Sequence, residues 1–77
     1  MDIKDFIENF ADQFDDTEAS EFTAETNFRE LEEWSSMIAL SILNMVGKEY
    51  GYTMSFDEMR GCNTVQELFD LVSAKVG

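Results

Sequence analysis

The sequence has no histidine, no proline and a single cysteine, Cys62, among its 77 residues. It therefore offers no nucleophile paired with a histidine base, and it lacks a glycine-rich loop that would cradle phosphates. We expect the chain not to be an enzyme. One cysteine cannot form a disulfide within the chain. Because only Gly61 and Asn63 adjoin Cys62, with no base or cation to activate it, we interpret it as a structural thiol.

Basic residues are also scarce, since five Lys and Arg stand against 17 Asp and Glu, for a formal net charge of −12. This charge excludes ordinary binding to nucleic acid or to an anionic membrane surface, and it favours partners with basic docking surfaces. No apolar run approaches the roughly 18 residues of a membrane span, and no basic segment opens the chain as in a signal peptide. We expect a cytoplasmic protein.

What the sequence does contain is typical of a small folded protein. Hydrophobic residues make up 44% of it, with seven Phe and one Trp, whereas a disordered acidic tail would be poor in aromatics. The length suffices for one domain, residues 1–77, with a single core. We expect this domain to be monomeric.

Residues 1–14 carry apolar side chains at helical spacing and predict an amphipathic first helix. The apolar stripe, which we interpret as core, comprises Ile3, Phe6, Ile7, Phe10 and Phe14. Residues 15–33 are acidic and lack a sustained period, so they predict a long loop. Phe28, Leu31 and Trp34 recur every three residues, and we expect them to pin the end of this loop onto the helices.

Residues 35–50 predict the central helix. Ser35 is the expected N-cap and Ser36 the first helical residue, with its hydroxyl pointing outward. Residues 37–46 are uncharged, and Gly51 is a natural stop. The expected buried face consists of Ala39, Ile42, Leu43, Val46 and Tyr50.

Two capping boxes predict the remaining helices. Ser55 with Glu58 indicates a short helix over residues 56–60, and Thr64 with Glu67 indicates a last helix from Val65. The expected stripe of the last helix is Val65, Leu68, Phe69, Val72 and Val76. The sequence thus predicts an all-α fold, a small four-helix bundle with three main helices, one short helix and a long first loop.

The exposed Ser36 hydroxyl has two interpretations. Free N–H groups and the helix dipole suit a phosphate ester at a helix N-terminus, but a serine there can equally share the capping of the helix. The sequence around it, W-S-S-M followed by I-A-L-S-I-L-N-M-V-G-K-E-Y, resembles the D-S-L box and second helix of the acyl carrier protein family. T-V-Q-E-L-F-D-L-V resembles the family's final helix.

This resemblance implies that Ser36 carries 4'-phosphopantetheine, added from coenzyme A by a phosphopantetheinyl transferase. It implies acyl intermediates held as thioesters for fatty acid, polyketide-like or other specialised synthesis, and partners among acyl-transfer and synthase enzymes. Ser35 stands where the family has aspartate. Ile38, Ser41 and Asn44 occupy the outer region where fatty-acid carriers have acids, so a dedicated synthase is at least as plausible as housekeeping fatty acid synthesis.

Two other readings compete with a carrier. An unmodified acidic helical module that docks on a basic partner would share the fold and leave Ser36 bare. A calcium-binding helix–loop–helix would be acidic and helical too, but residues 15–21 lack the glycine that its loop requires. We expect no metal site.

Overall fold

Four α-helices and two short 3-10 turns form the secondary structure of residues 2–77, the part of the chain that the computed structural model describes. The helices are α1 (Ile3–Ala11), α2 (Ser36–Tyr50), α3 (Phe56–Arg60) and α4 (Val65–Val76). The 3-10 turns, Ala19–Glu21 and Phe28–Glu30, lie in the long loop between α1 and α2. Residues 2–77 contain no strand, and the predicted all-α bundle is confirmed.

The helix ends follow the predicted capping chemistry. Ser55 and Thr64 each accept a hydrogen bond from the backbone N–H three residues later, and the glutamate at that position binds back, so both capping boxes form. After α2, Gly51 adopts φ of +70°, a left-handed conformation that costs glycine little. Helices α3 and α4 begin at the predicted residues.

The predicted length of α1 is wrong, because the helix ends at Ala11 and not at Phe14. Its predicted first residue, Met1, lies outside the described residues. After Ala11 the backbone tightens into i→i−3 hydrogen bonds, from Gln13 N to Phe10 O and from Phe14 N to Ala11 O. These turns still direct Phe14 into the core, where it is 7% exposed.

The core is an aromatic cluster that joins α1 to the long loop. The Phe10 ring lies 5.5 Å from Phe14, 5.9 Å from Phe22 and 5.6 Å from Phe28, measured between ring centroids. Phe28 in turn lies 4.8 Å from Trp34. Aromatic rings bury large areas at a small entropic cost, so this cluster explains how a loop of such length is ordered. The prediction that Phe28, Leu31 and Trp34 pin the loop is confirmed.

Backbone hydrogen bonds tie the same loop to the start of α4. Val65 N donates to Thr26 O at 3.1 Å and Gln66 N donates to Ala24 O at 2.8 Å. These are N–H groups of the first helical turn, which have no partner within the helix. The loop carbonyls therefore accept hydrogen bonds from the free N–H groups at the start of α4, and the same bonds hold the loop in place.

Several core assignments differ from the sequence pattern. Val76 is 40% exposed because it is the last residue of α4, beyond the core. Ile3, Ile7, Leu43, Tyr50 and Phe69 are only half-buried. Buried residues that the pattern missed are Phe22, Met45, Met54 and Met59. Met45 follows Ile42 by three residues, a spacing that would have found it, whereas nothing around Phe22 is periodic.

None of the helices described is both long and apolar enough to cross a membrane.

Net repulsion should dominate the electrostatics of this fold. Between residues 2 and 77 the single ion pair joins Arg60 Nη2 to Asp57 Oδ1 at 3.0 Å, and both side chains are exposed, so it contributes little. We predict that raising sodium chloride from 10 to 150 mM raises the melting temperature, because screening acts within about 10 Å at about 0.1 M salt. Thermal melts followed by circular dichroism would measure this increase.

We also expect magnesium to raise the melting temperature more than sodium does when the two are compared at equal ionic strength. A melting temperature that stays flat or falls with added salt would contradict net repulsion.

Candidate functional site

The site is the N-terminus of α2. Ser35 is its N-cap: the side-chain oxygen accepts from Ile38 N at 3.2 Å, and the carbonyl accepts from Ala39 N at 2.9 Å. Ser36 is the first helical residue and is exposed. Its hydroxyl makes no hydrogen bond within residues 2–77, so Ser35 alone performs the capping. The prediction that Ser35 is the N-cap and Ser36 the first helical residue is confirmed.

The approach to α2 is held by packing. Trp34 lies against Phe28 and, at 6.4 Å between ring centroids, against Phe14. Its backbone N–H donates to Leu31 O at 3.0 Å. Trp34, the residue before the N-cap, is therefore part of the aromatic cluster. The packing of this cluster fixes the position of Ser36.

A clasp formed by Glu33 closes the loop on the same side. The Glu33 carboxylate accepts from Asp15 N at 2.6 Å, Asp16 N at 3.0 Å, Thr17 N at 2.9 Å and Thr17 Oγ1 at 2.8 Å. Partial desolvation raises the Glu33 pKa, but these donors, Asp15 N foremost, outweigh it and hold the pKa below its usual value. The clasp joins the start of the loop to its end, three residues before Ser36.

A cavity of about 340 Å³ opens beside Ser36, between the loop, α2 and α3. Its apolar walls are Trp34, Ala39, Phe56 and Met59, and its two charged residues are Arg29 and Arg60. A larger cavity, of about 500 Å³, lies in the acidic part of the loop and is lined by Asp16, Glu21, Glu30, Glu32 and Glu33 among others. The carboxylates of this larger cavity would repel a phosphate ester. The smaller cavity, beside Ser36, is therefore the one that suits a phosphate ester.

Apolar side chains surround Ser36 on the outer surface. Met37 is 80% exposed, Leu40 49% and Phe56 44%. Ile38, expected on the outer face, is half-buried and packs against the core instead. Asn44 is exposed and neutral as expected. The surface next to Ser36 is thus apolar rather than acidic.

The remaining candidate groups are Cys62 and the clustered acidic residues. Cys62 is buried, and burial, assisted by the negative charge of Glu67, raises the pKa of its thiol although Arg29 opposes the shift. Its burial agrees with the structural thiol we expected, but Arg29 is a nearby cation that the sequence around Cys62 did not indicate. In residues 2–77 no three Cys, Asp or Glu side chains come together as a metal site would need.

A small helical bundle that presents a free serine hydroxyl at the start of its longest helix has the form of a carrier domain. The family model described as a phosphopantetheine attachment site matches residues 5–72. The chain belongs to this family, whose carrier domains work with transferases and synthases and are typically not catalytic themselves. No curated protein matches the chain. The resemblance seen in the sequence is confirmed at the level of the family.

Replacing Glu33 tests the clasp. We predict that Glu33→Gln lowers the melting temperature at pH 7, because a neutral amide accepts backbone hydrogen bonds less strongly than a carboxylate. The folded pKa of Glu33 is depressed, so its contribution is complete above the unfolded pKa of about 4.3 and is lost as the pH falls through the folded value. The difference between wild type and Glu33→Gln in thermal melts should therefore shrink from pH 7 to pH 3.

The control is Glu32→Gln, which removes the same charge from an exposed neighbour that makes no hydrogen bond within residues 2–77. Its melting temperature should equal or slightly exceed that of wild type, since it relieves repulsion. A Glu33→Gln deficit that stays constant across this pH range would show that the carboxylate charge is not what holds the clasp.

Proposed function

We propose that this chain is an acyl carrier protein in which Ser36 bears 4'-phosphopantetheine. The observation that carries the proposal is the exposed hydroxyl of Ser36, free of any hydrogen bond within residues 2–77, at the N-terminus of α2. It lies inside the region matched by the family model. The group supplies a flexible arm whose terminal thiol holds acyl intermediates as thioesters.

The chain's own part in loading is to present Ser36. In the transfer, Ser36 Oγ forms the ester bond to phosphorus, its proton leaves, and adenosine 3',5'-bisphosphate is released from coenzyme A. The chain has no histidine, and no side chain of residues 2–77 hydrogen-bonds the hydroxyl. We propose that the transferase supplies the base that accepts the proton.

An apolar cavity supports acyl groups as the cargo. It measures about 470 Å³ and lies between α2 and the segment leading into α3, with Leu40, Leu43, Met54 and Phe56 among its lining residues. Burying an acyl chain there would remove apolar surface from water, at about 25 cal/mol per Å². Fatty acid, polyketide-like and other specialised syntheses all use such cargo.

Partner enzymes should meet two different surfaces. Carboxylates crowd the long loop, including Glu30 and Glu32, whereas Met37 beside Ser36 is apolar and exposed. We propose that basic surfaces of acyl-transfer and synthase enzymes are steered by the loop and make their short-range contact at Met37. The outer face of α2 lacks the acids of fatty-acid carriers, so a dedicated synthase is at least as suitable a partner as the enzymes of housekeeping fatty acid synthesis.

The attachment residue is tested with coenzyme A, magnesium and a broad-specificity phosphopantetheinyl transferase. We predict that intact-mass and peptide mass spectrometry show one arm, on Ser36. Ser36→Ala should remain unmodified. Ser35→Ala should still be modified, although the lost cap lowers its stability by about 1 kcal/mol.

An arm on Ser35 instead of Ser36 would show that the attachment residue is wrong by one position. A wild-type chain that several transferases and a bacterial host all leave unmodified would make the acidic interaction module the better account.

The division between steering and contact is tested by stopped-flow binding to the cognate synthase. We predict that Glu30→Lys with Glu32→Lys slows association and flattens its salt dependence. Glu33 is left intact because it closes the loop. Met37→Ala should instead hasten dissociation about tenfold, which corresponds to about 1.4 kcal/mol. Changes confined to the association rate in both variants would contradict this division.

A further inference from the structure

The cavity beside Ser36 gathers two of the few positive charges in the protein. The chain has five Lys and Arg in total, and both of its arginines, Arg29 and Arg60, line this cavity together with Ser36. They come from different elements, Arg29 from the second 3-10 turn and Arg60 from the end of α3. In a chain of net charge −12, this is an unusual concentration of positive charge next to the proposed attachment residue.

Arg29 is held in place by neutral groups. Its Nε donates to Cys62 O at 2.9 Å and its Nη2 donates to Met59 O at 3.0 Å. The guanidinium carbon lies 5.9 Å from the centre of the Phe28 ring. No carboxylate within residues 2–77 forms an ion pair with it. Arg29 is therefore a positioned positive charge that lacks a negative partner and retains three of its five N–H donors.

Arg60, unlike Arg29, is exposed and forms a weak ion pair. Its ion pair with Asp57 joins two side chains that are 71% and 86% exposed. Such surface pairs contribute about 0–1 kcal/mol, so turning the guanidinium toward a stronger anion costs little. Arginine binds phosphate oxygens in bidentate, charge-assisted geometry.

We propose that the phosphodiester joining the arm to Ser36 lies at the mouth of this cavity and is bound by Arg29 and Arg60. This inference rests on the proposed function. The phosphodiester is bonded directly to Ser36 Oγ and so cannot leave the neighbourhood of the cavity, whereas an acidic group on the cargo would have to fold back along the whole arm. The larger cavity in the acidic part of the loop is lined by carboxylates, among them Glu30 and Glu32, which would repel the phosphodiester.

Nuclear magnetic resonance of the ¹⁵N-labelled protein with and without the arm tests the contact directly. Intact mass first establishes that the arm is present. The two arginine Nε–Hε signals, assigned with Arg60→Gln, should both shift on attachment. The ³¹P signal of the arm should change position between 10 mM and 1 M sodium chloride, because salt screens the contact.

Variants separate a local contact from a general charge effect. Arg60→Gln should reduce the salt-dependent ³¹P shift at least twofold, whereas Lys48→Gln, which removes the same charge in the last turn of α2, should leave it unchanged. Attachment should raise the melting temperature of wild type and Lys48→Gln, and raise it less in Arg60→Gln. If Arg29→Gln does not fold, the Arg29 Nε–Hε signal of the wild type still decides its role.

The outcomes are distinct. A chain carrying the arm whose arginine signals do not move overturns this inference and leaves the carrier function standing. Signals that move only when the arm carries an acidic acyl group assign the arginines to the cargo and also overturn it. A chain that accepts no arm at all overturns the carrier function and this inference together.

Discussion

Packing of the loop aromatics against α1 is the contact on which the rest of the structure depends. Phe10 supplies the ring that Phe14, Phe22 and Phe28 all meet, and Phe28 carries the contact on to Trp34. Removing these side chains from water provides the free energy that orders the long connection, whose backbone entropy would otherwise oppose it. Because Trp34 directly precedes the N-cap of α2, this packing also determines where the proposed attachment residue stands.

Negative and positive charges are distributed unevenly around Ser36. Nine of the 17 acidic residues lie in the loop between α1 and α2. One of them, Glu33, forms the clasp that joins the two ends of that loop. The surface around Ser36 is apolar, and the cavity beside it contains both arginines. Under the proposed function, an anionic group attached at Ser36 would meet the positive charge of these arginines, and a basic partner would be attracted from a distance by the acidic loop.

Most of the architecture could be predicted from local signals. The two capping boxes, the Ser35 cap and the Gly51 stop are each read within a few residues, because the hydrogen bonds that define them are local. The pattern failed where no local rule applies. The i→i−3 turns that end α1 early carry no marker in residues 12–14, and Phe22 is buried by partners distant in the chain.

The sequence by itself determined that the chain is a small acidic helical protein, that Ser36 begins the central helix, and that the chain resembles a phosphopantetheine carrier. Only the tertiary structure decided what surrounds Ser36. Arg29 reaches the carbonyl of Cys62, 33 residues away, and Glu33 reaches Asp15, 18 residues away. Neither pair lies within one helix, and the chain between the partners folds around the aromatic core before they meet. The cavity and the clasp are consequences of that packing, so no pattern along the chain could predict them.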